Sequence, residues 1–196
     1  MKIFGCIIAG GTSSRMGQEK ALVRLGGKPL IEHVANRLGP QVETLGINAN
    51  GDATRFSFLG VSVLADLLAT GGTPLAGIHA ALHYANDAGF DAVLSVPSDT
   101  PFLPLDLRLR LEPGAPAIAA SQGQEHYVTG LWPTSLLPRL ETAIAHQSLK
   151  RVWEWAALAE SKPVEWAAGN HDPFFNINTP QDLAQAETYL TLSEML

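Results

Sequence analysis

Ile7-Ile8-Ala9-Gly10-Gly11-Thr12-Ser13-Ser14-Arg15-Met16-Gly17-Gln18-Glu19-Lys20 is the stretch whose reading decides the fold. The run from Ile3 to Ala9 is short, apolar and rich in β-branched residues, the pattern of a strand buried on both faces, and it stops at two adjacent glycines. With no Cβ in the way, the main chain can take positive φ there and its N–H groups can close around an anion. Arg15 and Lys20 bring two cations to the same place, as a polyphosphate requires. An ordinary strand-to-helix turn with solvated basic residues is the plainer reading of the same letters. Two common phosphate loops are excluded, because no Gly-Lys followed by Ser or Thr is present and Gly-x-Gly-x-x-Gly is not matched.

Outward from this loop, strands and helices alternate. Gly26-Gly27 makes a turn, and Lys28 to Leu38 has apolar residues at helical spacing with Pro29 near its first turn, stopped by Gly39-Pro40. Strands are expected at Val42–Ile47, Val61–Ala65 and Asp91–Val96, delivering Asn48, Asp66 and Asp99 at their ends. A helix from about Leu75 to Ala88 is opened by Thr73 as cap and Pro74 as first helical residue. This alternation predicts an α/β fold, a mostly parallel twisted central sheet covered by helices on both faces. In such sheets ligands sit outside the carboxyl ends of the strands. The glycine loop, Asn48, Asp66 and Asp99 each follow a different strand, so all four are expected on one rim.

The second half is less regular. A short helix is expected at Leu103–Leu111, strands at Ala115–Ala120, Tyr127–Trp132, Val164–Ala167 and Phe174–Ile177, and helices at Ser135–His146 and Leu149–Ala159. Thr179-Pro180-Gln181-Asp182 is a strong helix start, with threonine as cap and a carboxylate at the third helical position, and the helix runs to about Leu190. No linker or repeat divides the chain, which reads as a single domain over 1–196.

Composition narrows the function classes. The 196 residues are 46% hydrophobic and 16% charged, with a formal net charge of −6, a profile for one globular α/β domain. An acidic chain without a basic tract has no electrostatic reason to bind nucleic acid or an anionic membrane. A single cysteine, Cys6, forms no internal disulfide and reads as a buried core residue, in keeping with a cytoplasmic location. No apolar run is long enough to span a bilayer.

Asp99 is the sharpest chemical candidate. A carboxylate at a strand mouth, between Pro97 and Pro101, suits Mg²⁺, which takes one or two such oxygens plus substrate phosphates; an Asx-type turn is the alternative. Asp66 could contact a base, a ribose or a metal, or simply open a loop. Asn48 either supplies an amide to a base or sugar or is a turn former before Gly51. Chemistry on a polyphosphate asks for charge neutralisation and alignment more than for a protein nucleophile, which suits a chain without a convincing triad. His79 and His83, four apart, would share a helix face, but no third ligand is apparent and a structural or solvated pair is expected. The four tryptophans read as packing residues.

The glycine loop resembles the Leu-Ala-Gly-Gly-x-x-x-Arg-Met-Gly-x-x-Lys signature of nucleotidyltransferases with the nucleotide-diphospho-sugar transferase fold, a Rossmann-like three-layer α/β/α arrangement. In its Ala-Gly-Gly form it is most similar to the MobA family, the molybdenum cofactor guanylyltransferases. The resemblance extends through Gly27-Lys28-Pro29-Leu30, Asn48-Ala49-Asn50, Asp66, Pro74-Leu75-Ala76-Gly77, Asp99-Thr100-Pro101 and Asn176-Ile177-Asn178-Thr179-Pro180. It implies GTP bound by Ile8, Ala9, Gly10, Gly11, Lys20, Asn48, Asp66 and Asp99, with Mg²⁺ on Asp99 and with Arg15, Lys20 and Asp99 carrying the chemistry. It also implies a nucleotide-binding half over 1–101 and a pterin-side half over 102–196, with Asn176 and Asn178 near the pterin. Glu19 replaces a usual aspartate, Gln18 a frequent glycine, and His126 is followed by Tyr127 where the family commonly has proline. The implied reaction moves GMP from GTP to the terminal phosphate of molybdenum-bound molybdopterin, with cofactor-insertion proteins and molybdoenzymes as candidate partners. The alternatives are a CTP-dependent cytidylyltransferase acting on the same pterin and a nucleotide-binding delivery module without catalysis.

Overall fold

The β-branched run behind the glycines becomes the strand on which the sheet is built. In the computed structural model, which describes residues 1–10, 19–68, 72–147 and 149–194, β1 (Ile3–Ile8) is buried along its whole length between two parallel neighbours. A small hairpin follows, β2 (Arg24–Leu25) and β3 (Lys28–Pro29), turned by Gly26 and Gly27 with φ of +55° and +80°. Then come α1 (Leu30–Leu38), β4 (Thr44–Asn48), β5 (Ser62–Leu64), α2 (Pro74–Asp87) and β6 (Ala92–Pro97). The second half adds α3 (Leu107–Leu111), β7 (Ala117–Ser121), β8 (Gln124–Pro133), α4 (Leu137–Gln147), α5 (Val152–Leu158), β9 (Lys162–Trp166) and α6 (Pro180–Glu194).

The seven-stranded sheet has the order β5-β4-β1-β6-β8-β7-β9, and β8 alone runs against the others. Side chains alternate across it, as strand geometry requires. Ile3 and Ile7 face a core built with α1 and α3, including Ile31, Val34, Leu38 and Leu107. Phe4, Cys6 and Ile8 face the opposite core, where α2, α4 and α5 contribute Ile78, Leu82, Leu140 and Trp155. This is the expected three-layer α/β/α architecture. Trp132 and Trp155 are fully buried with ring centroids 6.0 Å apart, and Trp132 Nε1 donates to Ser95 Oγ at 2.9 Å, so both are core residues. A third cluster of Val23, Leu25, Leu30, Phe102, Ile177 and Ala186 seats α6 against the β2–β3 hairpin. Each such large side chain, fully buried, contributes about 1.5–3 kcal/mol.

The structure differs from the sequence reading in several places. Helix α3 starts at Leu107 rather than Leu103, and α5 at Val152 rather than Leu149. Phe174–Ile177 is not a strand: Phe175 N–H closes a turn onto Asp172 O at 3.1 Å, and Ile177 N–H reaches Asp99 O at 3.0 Å, so its backbone donors are spent outside any ladder. Strand β8 begins at Gln124, three residues before Tyr127, because Gln122 and Gly123 take φ of +51° and +74° and turn β7 directly into it. Finally, α6 continues past Leu190 to Glu194. The sheet is continuous across residue 101, where β6 pairs with β8.

Candidate active site

Because β5, β4, β1 and β6 are parallel, their carboxyl ends share one rim. Ile8, Ala9 and Gly10 leave β1 there, Asn48 ends β4, and Asp66 and Asp99 stand two residues beyond β5 and β6. Ile8, Ala9, Gly10, Lys20, Pro74, Asp99 and Asn176 line a common cleft of about 210 Å³. Gly11 and Arg15 lie outside the described residues. Asp99 and the Gly10 backbone therefore face one space, as a single polyphosphate touching both requires.

Lys20 lines this cleft. Its Nζ pairs with Asp99 Oδ2 and donates to Asn176 Oδ1 at 2.9 Å and to Asn178 Oδ1. The lysine thus joins the first strand's loop to a segment more than 150 residues later. The Asp99 side chain retains 13% exposure. Burial pushes its carboxyl above the ordinary aspartate range, against the opposing pull of Lys20 and Asn176. Its second oxygen, Oδ1, is sealed from solvent and has no hydrogen-bond partner among the described residues. A buried carboxylate oxygen with no donor is costly to leave alone and suits a hard cation.

Asn48 is fully buried, and its amide nitrogen is committed internally, to Leu64 O at 3.2 Å and Asp66 Oδ1 at 2.9 Å. Asn50 Nδ2 holds the other Asp66 oxygen at 2.8 Å while Asn50 Oδ1 accepts from the Asp66 N–H at 2.9 Å. Asn48 Oδ1 is a second sealed acceptor without a partner among the described residues. A Cβ at Gly77 would lie 2.3 Å from that oxygen, so α2 needs glycine there to approach β4. The opening of α2 follows the sequence: Thr73 Oγ1 accepts from Ala76 N–H at 3.2 Å, with Pro74 first in the helix.

Several contributors carry no sequence signal. Arg55, from the 3₁₀ turn after β4, binds the Glu19 carboxylate at 2.9 Å and fixes that wall of the cleft. A second cleft of about 400 Å³ adjoins the first and shares Pro97, Val128 and Asn176 with it. Gln124, His126, Tyr127 and Thr129 of β8 face it, with Phe174, Phe175 and Asn178 opposite. Ser121 Oγ donates to Asp172 Oδ1 at 2.8 Å, so its lone pair takes the His126 Nε2 proton at 2.7 Å, fixing the imidazole's tautomer. Burial holds His126 below the ordinary histidine range, with Asp172 and Glu165 pulling the other way. His79 and His83 line neither cleft.

A lysine facing a buried acid at a glycine turn, beside a second cleft that could seat an acceptor, is equipment for moving a nucleotide between two phosphates. Fold and site together define a nucleotidyltransferase. Residues 5–162 match the MobA-like NTP transferase domain. The molybdenum cofactor guanylyltransferase of Rhodobacter capsulatus is 46% identical over 191 residues, covering 97% of each chain. The crystal structure of molybdopterin-guanine dinucleotide biosynthesis protein A from Archaeoglobus fulgidus superposes with a TM-score of 0.72 at 27% identity, covering 96% of this chain and 99% of that one. The 4-diphosphocytidyl-2C-methyl-D-erythritol synthase of Anaerococcus prevotii, at 14% identity, shares the fold with a TM-score of 0.68, covering 96% of both chains. The chain belongs to the MobA-like NTP transferase family.

Proposed function

We propose that this protein transfers GMP from GTP to the terminal phosphate of molybdenum-bound molybdopterin, forming the guanine dinucleotide cofactor and releasing pyrophosphate. The observation that carries this reading is the pair of adjoining clefts, one behind the β1 turn and one beside β8, with Asn176 in their common wall. GTP occupies the first and the pterin the second, so their phosphates meet beside Lys20 and Asp99. The names of the relatives support guanine and molybdopterin as the two halves of the product.

In the reaction a terminal phosphate oxygen of molybdopterin attacks the α-phosphorus of GTP, and the bond from that phosphorus to the bridging oxygen breaks as pyrophosphate leaves. Both nucleophile and leaving group belong to the substrates, so the protein's work is alignment and charge neutralisation. Lys20 places its cation against the triphosphate, and Arg15, outside the described residues, is proposed as the second cation. Main-chain groups of Ile8, Ala9 and Gly10 line the phosphate path, while Asp66, held by the buried Asn48 and by Asn50, forms the nucleoside side. Asn176 and Asn178 hold the pterin side and also position the Lys20 ammonium. Asp99 is the residue that would hold Mg²⁺, and its Oδ1, without a hydrogen-bond partner among the described residues, fits that role. When bound, the ion would neutralise phosphate charge. A cytoplasmic site of reaction is part of the proposal. The described residues contain no helix long and apolar enough to cross a membrane.

The test is turnover of the full chain with molybdenum-bound molybdopterin, Mg²⁺ and either GTP or CTP. Pyrophosphate release and dinucleotide formation are expected with GTP, and chelation by EDTA is expected to stop both until Mg²⁺ is restored. Preference for CTP would overturn the guanylyl assignment, and nucleotide binding without pyrophosphate release would replace the enzyme with a delivery module.

A further inference from the structure

On α2, histidine spacing alone suggests a pair without a third ligand. Folding supplies one. His79 and His83 stand one turn apart with their rings edge to face, centroids 4.7 Å apart. Glu141, on α4 and 58 residues further along the chain, meets His83 Nε2 at 2.8 Å. Each of the three side chains offers one ligand atom, and those atoms all lie within 4.8 Å of one another. Among the described residues this is the one such group of three or more histidine, cysteine or acidic side chains.

A second observation separates this cluster from a surface ion pair. His79 is only 4% exposed, and its Nδ1 is sealed from solvent with no hydrogen-bond partner among the described residues. A core position spent on an imidazole with an unsatisfied nitrogen needs a reason. Simple packing of α2 on α4 would be served better by leucine or alanine, as at Leu82 and Ala81 beside it.

We propose that His79, His83 and Glu141 form a binding site for a divalent transition-metal ion, Zn²⁺ by the chemistry of the donors, that clasps α2 to α4. Two imidazoles and a carboxylate suit zinc, and they select against Mg²⁺, which prefers oxygen alone. Tetrahedral zinc, with bonds of about 2.0–2.1 Å, sets ligand atoms roughly 3.3 Å apart. The buried His79 supplies the fixed ligand, and the two solvent-reaching side chains, His83 at 32% and Glu141 at 47% exposure, turn inward by the remaining ångström or so. The proton that now sits between His83 and Glu141 gives way to the ion. A solvent molecule completes the fourth position.

The experiment uses the full chain freed of metal with a chelator and dialysed against Zn²⁺ or Co²⁺ with excess Mg²⁺ present, which keeps the Asp99 site out of the measurement. One equivalent of Zn²⁺ is expected, with a rise in Tm and, for Co²⁺, the visible absorption of a four-coordinate nitrogen and oxygen site. His83→Ala and Glu141→Gln change side chains that reach solvent and keep the fold. Each is expected to weaken the metal by more than about tenfold and to abolish the Tm rise. Absence of stoichiometric binding at micromolar zinc would overturn the proposal. So would binding of undiminished strength in both variants, which would assign the ion to other histidines.

Discussion

Asp99 shows what burial costs a carboxyl on this rim. Its carboxyl is raised by burial, so folding disfavours its charge above the ordinary aspartate value of 3.8. The protein's stability relative to Asp99→Asn should therefore fall as pH rises through the raised folded-state value. At neutral pH the variant is expected to melt no lower than the parent while turnover drops by at least about a hundredfold. Thermal melts read beside initial rates of pyrophosphate release check both halves; a variant that melts much lower would make Asp99 a structural residue. Gly77 is the opposite kind of position. A methyl there meets Asn48 Oδ1 at 2.3 Å, so Gly77→Ala is expected to cost roughly 1–3 kcal/mol in urea unfolding. Neither Gly77's role nor the burial of Asn48 is visible in sequence, since both depend on how closely α2 lies over the end of β4.

At the scale of elements, α6 was legible because its start is written locally. Thr179 Oγ1 accepts from Asp182 N–H at 3.1 Å, and Asp182 Oδ2 accepts from the N–H groups of Asn178 and Thr179, each at 2.8 Å. Burial pushes the Asp182 carboxyl up, but these donors prevail and hold it below 3.8. Its contribution to stability is thus complete above 3.8 and disappears as pH falls through the lower folded-state value. Asp182→Asn is expected to be less stable than the parent at neutral pH, the gap closing in acid, as denaturant titrations across pH will read. Thr179→Ala is expected to cost about 1 kcal/mol by the same measurement. Both variants also loosen Asn178, which helps position Lys20, and so should raise the KM for the pterin. The segment before α6 was misread for a complementary reason. Phe174 to Ile177 has the composition of a strand, yet its donors close a local turn onto Asp172 and reach across to Asp99 beyond β6 instead of joining a ladder.

At the scale of the molecule, the sheet runs unbroken from β5 to β9, which predicts one cooperative unfolding transition. The four tryptophans lie in the second half, whereas Cys6 lies in β1, fully buried with its thiol pushed up to about 12. Tryptophan fluorescence and labelling of Cys6 by a thiol reagent should report the same unfolding free energy; a lower value for Cys6 would mean that the first half opens alone. The sequence by itself determined the α/β class, the parallel strands of the first half and the rim on which Asp66 and Asp99 stand, because alternating apolar runs and strand-ending glycines act locally. It also marked the family through short motifs. Only the tertiary structure decided that Lys20 would gather Asp99, Asn176 and Asn178, that Ser121 and Asp172 would orient His126, and that Glu141 would join His79 and His83. Those groups come from elements up to 158 residues apart, and their meeting depends on the packing of helices and strands across the whole chain, which no local spacing encodes.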